Sequence, residues 1–347
     1  VTFNGEVLSV ARRARGITQE QLTEAAGVTQ AALSRYENSL REPDAAVLGR
    51  LAAALGVTEA LLVGSQKIRG AMAVDAHMRR RATASARQWR RLEARLNMHR
   101  LHVRQVMEEV ELRTDTQLPL LDPIDIDPAG AARIVRMQWR LPVGPVHSLV
   151  GWLESAGCIV IEEDFGTRRV DGLSQWVAGH PVILVNSGSP TDRKRLTLAH
   201  ELGHLVLHSE WMTEEPERDA NQFAAEFLMP ADVIRPQLRR LSLGRLHELK
   251  RAWMVSMQAL VERAYGLGVL PRSERTRFYK QFSARGWRKS EPLSEQLPPE
   301  RPALAAEIGQ AMRAQGLSDD EIAAICGYAG ESDDNPFLPR DRALRAL

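Results

Sequence analysis

The chain has 347 residues, with 46 Lys and Arg against 44 Asp and Glu, a formal net charge of +2. That length allows two or more domains with ample cores. The near balance excludes nucleic-acid binding through overall charge, so any such affinity must come from local patches. Only Lys67, Lys194, Lys250, Lys280 and Lys289 are lysines; the other 41 basic residues are Arg, which favours planar contacts to phosphate or carboxylate. Cys158 and Cys326 have no metal spacing and build no disulfide framework. There is no signal peptide and no apolar run near about 18 residues, so the expected location is the cytoplasm with no membrane contact.

The first predicted elements lie at the N-terminus. Thr18 is placed to cap a short helix, with Gln21 three residues on to close a capping box. Gly27 permits a tight turn, and Thr29 is placed to cap the helix Gln30 to Glu37. Leu22, Ala26, Val28 and Leu33 would form a shared core. Arg41-Glu42-Pro43-Asp44 then breaks the chain and starts another helix, with Val47, Leu48, Leu51, Ala52 and Leu55 on one face. Residues 1–64 so arranged resemble the XRE family of phage-repressor-like DNA-binding domains. The resemblance implies a partner in a double-stranded DNA operator, with the second helix of the motif in the major groove. Gln30 suits a bidentate contact to adenine, and Arg35 reaches phosphate or guanine. Thr29 and Ser34 lie on the same stretch, and Gln19 and Asn38 suit backbone contacts. The alternative for this pattern is a protein-binding helical bundle.

Residues 66–113 carry 12 Arg and Lys against 5 acids, threaded by Leu92, Leu96, Val103, Val106 and Val110 at helical spacing. One or two basic amphipathic helices are expected, with a solvated face favoured over an extended DNA footprint. Thr114 to Pro128 holds four Asp and three Pro and reads as a linker, so residues 65–126 form a basic helical segment and linker.

From Asp127 the character changes again. Pro128 sits at the first-turn position of a helix running to Trp139. Val146 to Ala156 reads as a second helix, and Cys158 to Glu163 as a strand. Ser174 to Asn186 reads as a hairpin turning at Ala178-Gly179-His180-Pro181, with Trp176 and His180 better suited to packing and turn than to transition-state donation. A strand there, beside a catalytic helix, could hold an extended substrate by strand addition.

The strongest chemical signal follows: His200-Glu201-Leu202-Gly203-His204, in a context without Pro that predicts a helix. Residues i and i+4 share one helix face, so both imidazoles can reach one ion with Glu201 beside it. Zn²⁺ takes neutral His nitrogens and leaves one position for water in catalytic sites, and Glu201 is placed to take that water's proton. A third ligand is needed. The metzincin pattern fails, because its Gly and His places hold Leu207 and Glu210. The next helix, ending at Pro230, offers Glu217 at its start and Glu226 further along.

This string, followed by Glu217, Ala220-Asn221, Phe223-Ala224-Ala225-Glu226-Phe227-Leu228-Met229-Pro230, resembles the ImmA/IrrE metallopeptidases. The resemblance reaches back to Trp139-Arg140-Leu141-Pro142, Gly144-Pro145-Val146 and Asp171 to Trp176, and spans residues 128–290. It implies Zn²⁺, or Mn²⁺ in its place, held by His200, His204 and Glu217, with Glu201 as general base. Glu226 then reads as a supporting or helix-face residue, and His208, one step further on the ladder, as a supporting or surface histidine.

After Pro230 the chain reads as helical. Leu246 to Leu267 suggests a helix pair with Ser256 as a cap, which the resemblance makes a helix-turn-helix-like extension over 233–290. Ser318 and Glu321 form another capping box within a helical tail, 291–347, whose residues after Gly330 look loosely held. The expected fold is multidomain and mainly α: an all-α helix-turn-helix domain, an α+β zincin-like peptidase domain at 127–232 with a small sheet, and a helical C-terminal region. The expected function is a DNA-binding transcriptional regulator with a zinc endopeptidase domain that cleaves an XRE-type repressor, derepressing mobile-element or stress-response genes; a homodimer stays open. The alternatives are a repressor whose peptidase-like domain senses a ligand or partner without cleaving, and a toxin–antitoxin regulator.

Overall fold

A computed structural model describes residues 2–64, 86–167, 170–211, 213–330, 332 and 334–338. The protein is mainly helical with one small sheet, and it divides into two compact units. The first comprises residues 1–113, 177–182 and 303–347; the second comprises 114–176 and 183–302.

In the first unit, each short helix starts where a side chain can accept an unpaired backbone N–H. Asn4 caps α1 (Gly5–Arg15), Thr18 and Gln21 form the capping box of α2 (Gln19–Ala26), Thr29 caps α3 (Gln30–Glu37) and Asp44 caps α4 (Ala45–Leu55). Gly27 ends α2 at φ 63°, a left-handed conformation that costs glycine nothing. Leu22, Ala26, Leu33, Leu51 and Leu55 are buried together with Val7, Leu8 and Leu61; Val28, Val47 and Leu48 are only partly buried.

The helix α5 (Ala86–Glu109) departs from the expectation of a solvated basic face. It packs along α1, and its Ala94, Met98 and Leu101 enter the same core. Leu92, Leu96, Val103 and Val106 are buried as well, with Asn97, His99, Arg100 and His102. Apolar residues on several sides of the helix, not one stripe, make it an internal strut. The stretch 65–85 of the expected basic segment lies outside the described residues.

The C-terminal segment belongs to this unit. It holds α14 (Leu304–Ala314) and α15 (Asp319–Ile325), the latter with the Ser318–Glu321 capping box. Val57 and Tyr328 form an antiparallel bridge, Ala329 N donates to Gly56 O at 3.2 Å and Thr58 N to Gly327 O at 3.0 Å. His102 stacks on Tyr328 with ring centroids 4.0 Å apart, and its Nδ1 lies 2.6 Å from Cys326 O. Past Gly330, Asn335 and Phe337 are buried rather than loose; residues 331, 333 and 339–347 are outside the described set.

The second unit opens with the expected linker, whose residues 116–121 are docked while Ile124 is exposed. Leu118 is buried, Leu121 N donates to Val206 O at 2.9 Å, and Trp139 Nε1 donates to Gln117 O at 3.0 Å. Leu118, Leu121 and Ile126 pack against the core of this unit. Asp127 caps α6 (Pro128–Gln138), and α7 (Leu149–Ser155) follows. The strands are β1 (Ile159–Glu163), β2 (Gly172–Val177) and β3 (His180–Asn186), in sheet order β1-β3-β2, with the hairpin tip 177–182 counted in the first unit. Ala178 and Gly179 take φ 47° and 83°, the pair of positive values that a two-residue hairpin turn requires. Then come α8 (Thr191–Leu207), α9 (Pro216–Leu228), the single turn α10 (Ala231–Ile234), α11 (Leu243–Trp253), α12 (Met257–Gly266, capped by Ser256) and α13 (Arg272–Ala284). One core joins α6 through α13 around Trp139, Phe223, Phe227 and Trp253. No helix among the described residues is long and apolar enough to cross a membrane.

Candidate functional site

The helix α8 carries His200, Glu201, His204 and, at its C-terminal cap, His208. Buried ion pairs hold it in place. Arg195 is fully buried: it donates from Nε to Met254 O at 3.1 Å and from its terminal nitrogens to Val146 O and to the Glu300 carboxylate. Glu300 also accepts from Leu149 N and Val150 N at the start of α7. Asp192, in the first turn of α8, receives Lys250 Nζ, which also reaches Glu291 and Ser294. Each buried charge has partners, the condition for tolerating it.

Gly203 brings the second helix close. A Cβ there would meet Ala220 Cα and Phe223 Cβ of α9 at 3.2 Å, so only glycine lets α8 and α9 approach this far without displacement. The approach sets Glu217, in the first turn of α9, against both histidines. His200 Nε2 and His204 Nε2 are 3.1 Å apart; Glu217 lies 3.6 Å from the first and 3.4 Å from the second. One ligand atom from each of the three residues falls within a common 4.8 Å. Ligand atoms about 2.0–2.1 Å from a tetrahedral Zn²⁺ stand about 3.3–3.4 Å from one another, so the donor set fits such an ion in both chemistry and spacing. Glu226 is engaged elsewhere: it is buried, pairs with Arg263, accepts from Ala231 N at 3.3 Å and has Arg133 at 3.5 Å.

The orientation of His200 is fixed from α9. Asn221 Nδ2 donates to Glu217 O at 2.7 Å, which turns its Oδ1 toward His200 Nδ1 at 3.2 Å. An amide oxygen only accepts, so His200 carries its proton on Nδ1 and presents the Nε2 lone pair to the site.

Glu201 is buried beside the triad. Its Oε2 accepts from Ser174 Oγ at 2.6 Å. Burial raises its carboxyl to about 7, the Asp171 charge adds to the rise and the Ser174 hydroxyl opposes it. Gly172, Ser174 and Trp176 alternate along β2 and face α8: a Cβ at Gly172 would meet Glu201 Cγ at 3.2 Å, and Trp176 Nε1 donates to Leu205 O at 3.1 Å. Among the described residues β2 pairs only with β3, so it is the edge strand of the sheet, and it runs next to Glu201. Trp176 is thus a packing residue; burial lowers the His180 pKa, and it stands at the start of β3.

In the first unit, Gln30 and Arg35 are exposed on α3 and Ser34 is half-buried between them. The Thr29 hydroxyl accepts from Ala32 N at 3.2 Å. Asn38 Nδ2 donates to Ser34 O at 2.7 Å and Gln19 Nε2 to Glu37 Oε2 at 2.7 Å, so those two side chains also serve the domain itself. Glu37 is the hub: Arg12 grips it with Nε at 2.5 Å and Nη2 at 3.1 Å, tying α3 to α1 and to the start of α2. Arg12, Glu37, Ser174 and Asn221 show no sign of these roles in the sequence alone. Only the opposite charges of Arg12 and Glu37 could have suggested a pair, and their separation of 25 positions carries no local signal.

Residues 8–62 match the family described as helix-turn-helix, and residues 153–265 match the IrrE N-terminal-like domain. The radiation response metalloprotease IrrE of Deinococcus radiodurans is 39% identical over a stretch covering 23% of this chain and 30% of that protein. The match therefore spans less than a third of the relative's length.

Proposed function

We propose that this chain, in which an XRE-type helix-turn-helix domain precedes an IrrE-like peptidase domain, is a transcriptional regulator that acts as a zinc-dependent endopeptidase on a helix-turn-helix repressor. The observation that carries the reading is the convergence of His200, His204 and Glu217 with Glu201 beside them and the edge strand β2 alongside. His200, His204 and Glu217 would hold the ion. When bound, Zn²⁺ (or Mn²⁺) supplies Lewis-acid polarisation of the scissile carbonyl and a more acidic water.

The protein's own groups do the rest. Ser174 holds Oε2 of Glu201, which leaves Oε1 to accept the proton of the attacking water and return it to the departing amine. An extended substrate adding to β2 gains backbone hydrogen bonds and lies past Glu201. Such a segment must be free of other structure, and residues 114–128 of this chain, docked through Leu118 and Leu121, are a poor one. An XRE-type repressor with a flexible linker, encoded nearby, is the better substrate. The helix α3 would bring the enzyme to DNA, with Gln30 and Arg35 reading an operator.

The test is incubation of the full chain with Zn²⁺ or Mn²⁺ and a neighbouring repressor, followed by mass spectrometry of fragments. Metal-dependent fragments should form and vanish in Glu201→Gln, whose amide cannot take the water proton. No cleavage, with operator binding that still depends on intact His200 and His204, would replace the enzyme by a metal-dependent sensor.

A further inference from the structure

His208 is the one histidine of α8 that the site above does not use. It is buried, and its ring faces away from the ligand triangle: Nδ1 lies 3.0 Å from His204 Nδ1, and Nε2 lies 3.7 Å from Asp219 Oδ2 on α9. Nε2 is fully enclosed with no acceptor at hydrogen-bond distance, so Asp219 is the acceptor that faces it.

A contact between two ring nitrogens at 3.0 Å needs one proton: one donates and one accepts. If His208 donated, His204 Nδ1 would accept and His204 Nε2 would carry the proton. That N–H would then point at His200 Nε2, and no lone pair would be left for an ion. His208 Nε2 would also become a bare acceptor enclosed against a carboxylate. If His204 donates from Nδ1, the Nε2 atoms of His200 and His204, 3.1 Å apart, both turn lone pairs to the ion site, an arrangement that a bound cation satisfies. His208 accepts on Nδ1, carries its proton on Nε2 and directs it to Asp219, and His204 presents its Nε2 lone pair to His200 and Glu217.

We propose that Asp219 and His208 form a relay that fixes the proton order of His204 and so positions it as a metal ligand. This rests on the metal reading above. His208 and Asp219 are positioning residues, and they do for His204 what Asn221 does for His200. Both orienting groups, Asn221 and Asp219, come from α9, the helix that also supplies Glu217. Groups that orient a metal-bound histidine typically change metal affinity by about 10–100-fold when removed.

Two measurements on the full chain test the relay. In the first, zinc affinity is read by competition with a chromophoric chelator. His208→Leu, which removes the ring nitrogen facing His204 Nδ1, should weaken zinc about 10–100-fold; Asp219→Ala should weaken it in the same direction. His208→Gln, whose side-chain oxygen can still accept, should recover much of the loss. In the second, long-range ¹H–¹⁵N spectra of zinc-loaded wild type, which need no variant to fold, should show His204 protonated on Nδ1 and His208 on Nε2. A His208 protonated on Nδ1, or unchanged zinc affinity in both His208→Leu and Asp219→Ala, overturns the relay while leaving the metal site standing. Wild type that binds no zinc overturns both.

Discussion

Gly172→Ala isolates the contact between β2 and the catalytic helix. Gly172 has no positive φ, so alanine is conformationally free to enter the strand, and in an open strand it would gain roughly 0.5–1 kcal/mol. Here its Cβ would stand 2.5 Å from Thr197 Cγ2, 3.2 Å from Glu201 Cγ and 3.3 Å from Glu201 Oε1. Carbon atoms prefer about 3.5–4.0 Å, so about 1 Å of displacement is forced between β2 and α8. Overpacking of this kind costs about 1–3 kcal/mol, and the net expectation is about 1–2 kcal/mol of destabilisation. That is about 2–8 °C in a thermal melt of a unit this size. Displacing Glu201 by a fraction of an ångström should reduce proteolysis by up to about 100-fold, while zinc content, set by residues on α8 and α9, stays near wild type. Thr197→Ser removes Cγ2 and keeps the hydroxyl. Combined with Gly172→Ala it should restore most of the stability, giving a double-mutant coupling of about 1 kcal/mol. Calorimetry of the four proteins is the assay. A Gly172→Ala that melts at or above wild type, or additive effects of the two substitutions, would refute the packing argument.

Gln30→Ala should relax sequence preference in a gel-shift series on the region upstream of its own gene, at a cost of about 1–3 kcal/mol; unchanged binding by Gln30→Ala/Arg35→Ala would remove α3 from the interface. Burial depresses His99 to about 4 and His102 to about 3, so between pH 6.5 and about 4 the unfolded chain binds protons that the folded chain refuses. Stability of the first unit should therefore fall with pH through that window by up to about 1.4 kcal/mol per unit per histidine. His102→Gln should flatten the slope, and an equal slope in that variant counts against it. Residues 1–113 should melt well above residues 1–64, because Met98 and Leu101 of α5 each bury apolar surface worth about 1.5–3 kcal/mol in the shared core; equal melting would show α5 to be dispensable.

What could be read along the chain was whatever has a local signature. The caps at Thr18, Thr29 and Ser318 and the helix starting at Pro128 depend on residues a few positions apart. So does the pairing of His200 with His204, which a helix puts on one face. What was hidden depends on partners far along the chain. Leu92 to Val106 read as a stripe on a surface helix because α1 and residues 326–328, which meet that helix, lie about 80 and 220 positions away. The prolines and aspartates of 114–128 signalled a linker, while Leu118 and Leu121, which dock it, are too few to make a period. Ser174, Asn221 and Asp219 each act on a residue of α8 from another element. Their types are ordinary on any surface, and only the crossing of β2 and α9 with α8 gives them a task.

The most direct test of the account is the metal content of purified protein, by elemental analysis of wild type beside Glu217→Gln and Glu226→Gln. Wild type should hold about one Zn²⁺ per chain. Glu217→Gln should lose most of it, and Glu226→Gln, whose carboxylate serves Arg263, should keep it. Full zinc retention in Glu217→Gln, with loss in Glu226→Gln, would contradict the assignment of the site.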